Sequence, residues 1–266
     1  MLITPKFVMI NFPKTGSTFA RRAIRGIHQP GRGRRLLERV GLARPECSEL
    51  LMRQRFFTPM RERSNLRVQQ HGAWCQIPEA FRDRTIMSVV RDPMDRLVSL
   101  YEYRAWALMP FPEEKIVRRH FPHFPDLSFE EFFELYQTIA PEYSLPEGVR
   151  GAPGPLTVQF IRFYARDPLR TIMALDEGSD LRKMRREHFP DIDFLHTENL
   201  NAELHDFLLR MGYPEERVAG IKDMGKVNTS TRSRPDYLSD GMIDRLAWSE
   251  RFFYQLFPEY LERVPA

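Results

Sequence analysis

The chain has 266 residues, 42% hydrophobic and 12% aromatic, enough for one α/β domain with a large core. No run reaches the roughly 18 apolar residues of a membrane span, no charged start with an apolar stretch and cleavage site marks a signal peptide, and no period marks a repeat protein, so a cytoplasmic protein without a membrane span is expected. Net charge is only +4, but Pro13 to Arg67 carries 14 Lys/Arg against 4 Asp/Glu, a local +10 that favours an anionic partner.

The first predicted strand covers 6–12. Its apolar run Phe7-Val8-Met9-Ile10 stops at Pro13. Lys14, Thr15, Gly16, Ser17 and Thr18 follow at once, and a helix predicted over 18–28 opens on Phe19. Strand, tight turn and helix start in this order make an anion site: the turn's N–H groups converge and the helix N-terminus adds partial positive charge. Lys14 supplies a full charge, Ser17 and Thr18 supply hydroxyl donors, and Gly16 lets the backbone come close. A phosphate-like group is therefore expected here. The segment is not a standard P-loop, in which a first glycine opens the motif and Lys stands directly before the Ser/Thr that ligates magnesium. An ordinary strand-to-helix turn with a capping hydroxyl is the competing reading. Arg32, Arg34 and Arg35, in the Gly-rich turn PGRGRR, either meet an acidic acceptor or form a solvated, mobile loop.

A short β-like run over 66–70 precedes Gln70-His71-Gly72-Ala73-Trp74. The next predicted strand, 85–90, holds the near-continuous apolar run of a buried parallel strand. Arg91-Asp92 ends it, with Asp92 a natural N-cap and Pro93 at a position a first helical turn tolerates. A helix is predicted over 94–108, with Ser99 eight residues beyond Arg91. Arg91 leaves the strand's C-terminal end, where its planar fork suits a phosphate; a salt bridge to Asp92 or Asp95 is the alternative.

Segment 109–156 is rich in Pro, Gly and aromatics and reads as a helical insertion with loops, the wall of an acceptor pocket, with a helix over 128–138. His120 and His123, in HFPHFP, read as loop or packing histidines. Cys47 and Cys75 make neither a disulfide framework nor a zinc spacing, so no metal site is expected. Residues 156–166 are helix or strand. A helix over 179–188, a strand over 191–196 and helices over 200–211 and 240–257 follow. Strands alternating with helices imply a parallel sheet with ligands beyond its carboxyl ends. Pro13, His71 and Arg91 each follow a predicted strand and should share that edge. The aromatic-plus-basic signature of RNA modules and zinc-finger spacing are both missing, so nucleic acid is not the expected partner.

Pro13-Lys14-Thr15-Gly16-Ser17-Thr18 resembles the 5′-phosphosulfate loop of sulfotransferases that use 3′-phosphoadenosine 5′-phosphosulfate (PAPS), and Arg91 with Ser99 resembles their 3′-phosphate grip. Gln70 to Trp74 is similar to the His-containing segment of the heparan sulfate 2-O- and 6-O-sulfotransferases, with Ala73 where the 2-O pattern has a second His. Phe194-Leu195-His196-Thr197-Glu198-Asn199-Leu200 resembles the family's strand-to-helix step, with His196 where glycine is usual. Gly225 to Thr231 resembles the late loop that closes over the nucleotide.

The resemblance implies a single domain over 1–266 with a P-loop-NTPase-like three-layer sandwich, a central parallel sheet flanked by helices. It implies that Lys14, Thr15, Gly16, Ser17, Thr18 and Phe19 hold the 5′-phosphosulfate and that Arg91 and Ser99 hold the 3′-phosphate. Lys226, Asn228, Thr229 and Ser230 would add contacts, and Arg232 and Arg234 would lie over the same phosphate. Lys14 would meet charge growing on the leaving phosphate. His71 would be the general base, with His196 and Glu198 as fallbacks, and Trp74 is either a stacking platform or a core indole. The implied reaction moves the sulfuryl group of PAPS, a co-substrate, to an acceptor hydroxyl of a saccharide or glycan without a metal. A small-molecule kinase and a non-catalytic binder of anionic polymers are the rival readings.

Overall fold

Leu2–Ile3 (β1) and Phe7–Ile10 (β2) are joined by a turn closed on Thr4. The Thr4 N–H and hydroxyl donate to the Phe7 carbonyl at 3.0 and 2.8 Å, and the Phe7 N–H donates back to the Thr4 hydroxyl at 3.0 Å. So short a link cannot cross over, so β1 runs antiparallel to β2, with Leu2 opposite Met9. The helices Ser17–Ile27 (α1) and Arg32–Arg39 (α2) follow, then Ser48–Glu49 (β3), antiparallel to β1. Met52–Arg53 (β4) pairs with Val68–Gln69 (β5) in a separate two-stranded sheet. Thr85–Val90 (β6) lies parallel to β2, the helix Pro93–Glu102 (α3) follows it, and Asp193–His196 (β7) lies parallel to β6.

The main sheet therefore has the order β3-β1-β2-β6-β7 and is mixed, flanked by helices. The expectation of an all-parallel sheet holds for β2, β6 and β7 and fails at the β1–β3 edge, where the strands are two residues long. The 66–70 strand also misses the main sheet. In this run Leu66 and Val68 alternate with Arg67 and Gln69, so only one face is apolar, unlike a central parallel strand covered on two sides. This computed structural model describes residues 1–53, 68–108, 113–225 and 237–263, which fall into two compact units.

The first unit holds both sheets, α1, α2 and the helix Leu200–Arg210. Phe7 and Met9 of β2, Met87 and Val89 of β6 and Leu195 of β7 line one face of the main sheet. Phe19, Ala20, Ala23 and Ile24 of α1 pack there, with Leu204, Phe207 and Leu208 of the later helix. Phe7 meets Phe207 edge to face, centroids 5.0 Å apart. Val8, Ile10, Ile86 and Val90 on the other face are buried too, which is why these strands read as unbroken apolar runs.

The second unit has its own core, in which Met94, Leu97 and Val98 of α3 join Phe129, Phe132, Phe133 and Leu246. As expected, Asp92 caps α3, accepting from the Met94 N–H at 2.8 Å, with Pro93 in the first turn. The predicted 94–108 helix is interrupted at Arg104, whose φ of 52° no helix continues. Residues 156–166 resolve as a helix, Pro155–Tyr164. Its first turn is capped from afar: Glu250 is fully buried, and its two oxygens accept from the N–H of Leu156 (3.0 Å), the N–H of Thr157 (2.7 Å) and the Thr157 hydroxyl (2.7 Å). Burial nonetheless holds this carboxyl above the usual range, because desolvation outweighs those bonds. Glu250 also divides the predicted 240–257 helix into Asp240–Ser249 and Arg251–Leu256. His120 closes the helix Glu114–His120, despite the prolines that follow, and the His123 ring meets the Glu131 carboxylate at 3.0 Å.

Candidate anion and proton-transfer site

The pairing of β2 ends at Ile10, in register with Ser88 of β6. Past that point, three successive carbonyls receive side-chain donors from three segments. The Ser88 hydroxyl donates to Ile10 at 2.8 Å, His71 Nδ1 donates to Asn11 at 2.8 Å, and the hydroxyls of Thr15 and Ser17 donate to Phe12 at 2.9 and 3.0 Å. The Pro13–Thr18 turn is thus folded onto the Phe12 carbonyl by its own hydroxyls. Ser17 was expected to offer its hydroxyl as a donor to an anion; that proton is committed to the turn.

What the turn presents is backbone. Lys14 and Gly16 have φ of 64° and 79°, on either side of Thr15, an alternation that swings successive N–H groups to one side. The helical ladder of α1 begins with the N–H groups of Phe19 and Ala20, both onto the Gly16 carbonyl at 2.9 and 3.3 Å. The N–H groups of Ser17 and Thr18 precede that ladder and sit at the positive end of an 11-residue helix. A Cβ on Gly16 would meet Leu200 Cδ2 at 2.9 Å, so glycine serves both the left-handed backbone and the close approach to the helix behind. Phe19, expected beside the nucleotide, has its ring 4% exposed in the core and its amide on Gly16.

Lys14 and Arg91 leave the ends of the adjacent parallel strands β2 and β6. The Lys14 ammonium is brought down to about 8, first by burial and then by the positive charge of Arg91. Two cations held close enough to repel make a place where an anion is stabilised. Thr197, directly after β7, joins the two strand ends: its hydroxyl lies 2.9 Å from the Thr15 carbonyl and 2.8 Å from the Val90 carbonyl.

His71 does not reach this edge as the end of a main-sheet strand, because β5 belongs to the small sheet. Asn11 brings it there. The Asn11 side chain donates to the Gln70 carbonyl at 3.2 Å while its own carbonyl accepts from His71. A carbonyl only accepts, so Nδ1 carries a proton and the neutral ring has its lone pair on Nε2, the form a general base needs. Asn11 Oδ1 is buried with no hydrogen-bond partner among the described residues, an acceptor suited to a hydroxyl donor. The Arg82 guanidinium lies 5.5 Å from the centre of the half-buried Trp74 ring.

Of the fallback bases, His196 is engaged on a carboxylate. The His196 ring and N–H both meet the Glu203 carboxylate, at 3.1 and 2.6 Å. Glu198 stands in the single turn Thr197–Asn199. Ser99 lies in α3, in the second unit, 8% exposed. Lys226, Asn228, Thr229 and Ser230, with Arg232 and Arg234, fall outside the described residues.

Sequence reasoning missed Asn11, Ser88 and Thr197. The first two read as plain strand positions. Thr197 stood inside a noted motif, but its partners are 182 and 107 residues away. Among the described residues no group of three His, Cys, Asp or Glu converges as metal ligands, and Cys47 and Cys75 are free thiols. No protein-family model matches this sequence, and comparison with curated proteins gives no significant match.

Proposed function

We propose that the chain is a PAPS-dependent sulfotransferase with a P-loop-like core, acting in the cytoplasm on an acceptor hydroxyl, with a saccharide or glycan as the acceptor class. The observation that carries the reading is the left-handed turn between β2 and α1, with Lys14 repelled by Arg91 at the neighbouring strand end. A phosphosulfate fits that donor set, which offers amides and cations. His71, held on the Asn11 carbonyl just past β2, supplies the base that transfer to a hydroxyl needs. When bound, PAPS supplies an activated sulfuryl group whose transfer leaves a phosphate.

In this reading the amides of Ser17 and Thr18 hold the 5′ oxygens. Lys14 neutralises the charge that grows on the leaving phosphate, and Arg91 grips the 3′-phosphate. His71 Nε2 takes the proton of the attacking hydroxyl, which Asn11 Oδ1 orients. Catalysis is then mainly positioning and charge stabilisation. The saccharide class rests on likeness to the heparan sulfate enzymes and on the basic charge of 13–67.

Calorimetry with 3′-phosphoadenosine 5′-phosphate, beside ATP with magnesium, tests the donor reading. Metal-free binding of the bisphosphate that weakens at least tenfold in Arg91→Ala is expected. His71→Ala should keep that binding and lose transfer by about 10²–10⁴-fold. A preference for ATP with magnesium would sink the proposal and favour a kinase.

A further inference from the structure

Helix α2 is attached to the first unit by its polar side. Arg34 donates to Glu38 at 3.4 Å, to the Arg44 carbonyl at 3.3 Å and to Glu46 at 2.8 Å, and Glu46 also pairs with Arg217 at 3.6 Å. None of its eight residues is buried. At 100° per residue, Arg34 and Glu38 share one side, and Arg32, Leu36 and Val40 share the opposite one. The usual amphipathic arrangement is reversed: polar contacts face the protein and aliphatic side chains face outward.

Leu36, Leu37, Val40 and Leu42 are 62%, 45%, 59% and 77% exposed. Of eleven large apolar residues exposed among the described ones, these four fall within seven positions, so they form a patch and not scattered surface. The patch is also held in shape. Gly41, at φ 75°, ends the helix: its N–H donates to Glu38 at 3.2 Å and the Leu42 N–H to Leu37 at 2.8 Å. That pairing is a Schellman stop, which brings the residue after the glycine beside the last helical turn and so groups Leu42 with Leu37. Arg32, Arg35 and Arg39 rim the patch, all exposed and without an ion pair among the described residues.

Exposed aliphatic side chains bordered by arginines match an anionic lipid bilayer in both respects: its interface takes the apolar residues and its headgroups take the cations. No described helix is long and apolar enough to cross a membrane. We infer that the outward face of α2, Leu36, Leu37, Val40 and Leu42 with Arg32, Arg35 and Arg39, docks the protein on anionic membranes. The inference is independent of the donor reading.

Co-sedimentation with vesicles of phosphatidylcholine containing about 30% phosphatidylserine, against pure phosphatidylcholine, tests it. Binding should need the anionic lipid and fall as salt rises. Leu36→Ser with Leu42→Ser should lower the partition coefficient at least tenfold. Arg35→Glu with Arg39→Glu should lower it by a similar factor, with circular dichroism unchanged in both. No binding to anionic vesicles, equal binding to neutral ones, or indifference to both double variants would overturn it. So would a self-association seen by sedimentation velocity that the leucine variant abolishes while vesicles are ignored, which would assign the face to a second copy of the chain.

Discussion

At the residue scale, one hydroxyl spans the candidate site. Thr197 faces both the carbonyl of the turn and the carbonyl from which Arg91 departs, so it ties the turn that carries Lys14 to the strand end that carries Arg91. Thr197→Val keeps the shape and removes the donor, leaving two carbonyls without it; a loss of about 1–2 kcal/mol in urea unfolding is expected. Bisphosphate affinity should fall with it, whereas a purely structural role would leave affinity in the folded fraction unchanged. Lys14 sets a pH dependence. Its folded value of about 8 is below the ordinary 10.5, so between these the unfolded chain binds more protons, and this group makes stability rise with pH across that window. An anion favours the charged form, so its affinity should be greatest below pH 8 and decline above it. Calorimetry above pH 8 in buffers of different ionisation enthalpy should find close to one proton taken up on binding; no uptake would mean that Lys14 does not face the anion.

At the scale of elements, the helix Pro155–Tyr164 depends on a residue nearly a hundred positions later. Glu250→Gln places an amide NH₂ against at least one of the donors that the carboxylate oxygens now accept, and should cost about 1–3 kcal/mol in thermal or urea unfolding. Gly154→Ala should destabilise as well, because a Cβ there collides with the same carboxylate. Neither dependence was visible in the sequence, since a cap supplied from a distant segment leaves no local pattern. What could be read were elements whose own residues carry the signal: the apolar runs of β2 and β6, the Asp92–Pro93 start of α3, and the Pro13–Thr18 turn. Helix α2 was read as a turn or mobile loop because Gly31, Gly33 and the arginines dominate the segment and its leucines bury nothing. The pairs β1–β3 and β4–β5 are two residues per strand, too short for any period to show. His71 was placed near the anion turn for a reason that does not hold; the link is Asn11, whose role rests on tertiary contact alone.

At the scale of the whole molecule, charge is divided unevenly. With +10 in residues 13–67 and +4 overall, the remaining residues carry −6. Such a field draws anions toward the basic part and is screened by salt. The association rate of the bisphosphate should fall several-fold between about 50 and 500 mM salt, with little change in its dissociation rate; an unchanged association rate would deny that this charge steers the ligand. The end of β2 bears differently on what the chain can tolerate. Ile10, Asn11 and Phe12 serve, through consecutive carbonyls, the neighbouring strand, the histidine and the anion turn. Carbonyls alternate in direction along a strand, so inserting one residue before Ile10 would exchange the sides to which all three are offered. Point changes of side chain leave those offers intact, but an indel withdraws them together. Conservative apolar changes at Phe7 to Ile10 should therefore be tolerated better than any change in the length of this stretch, whereas Asn11 is needed for its side chain as well.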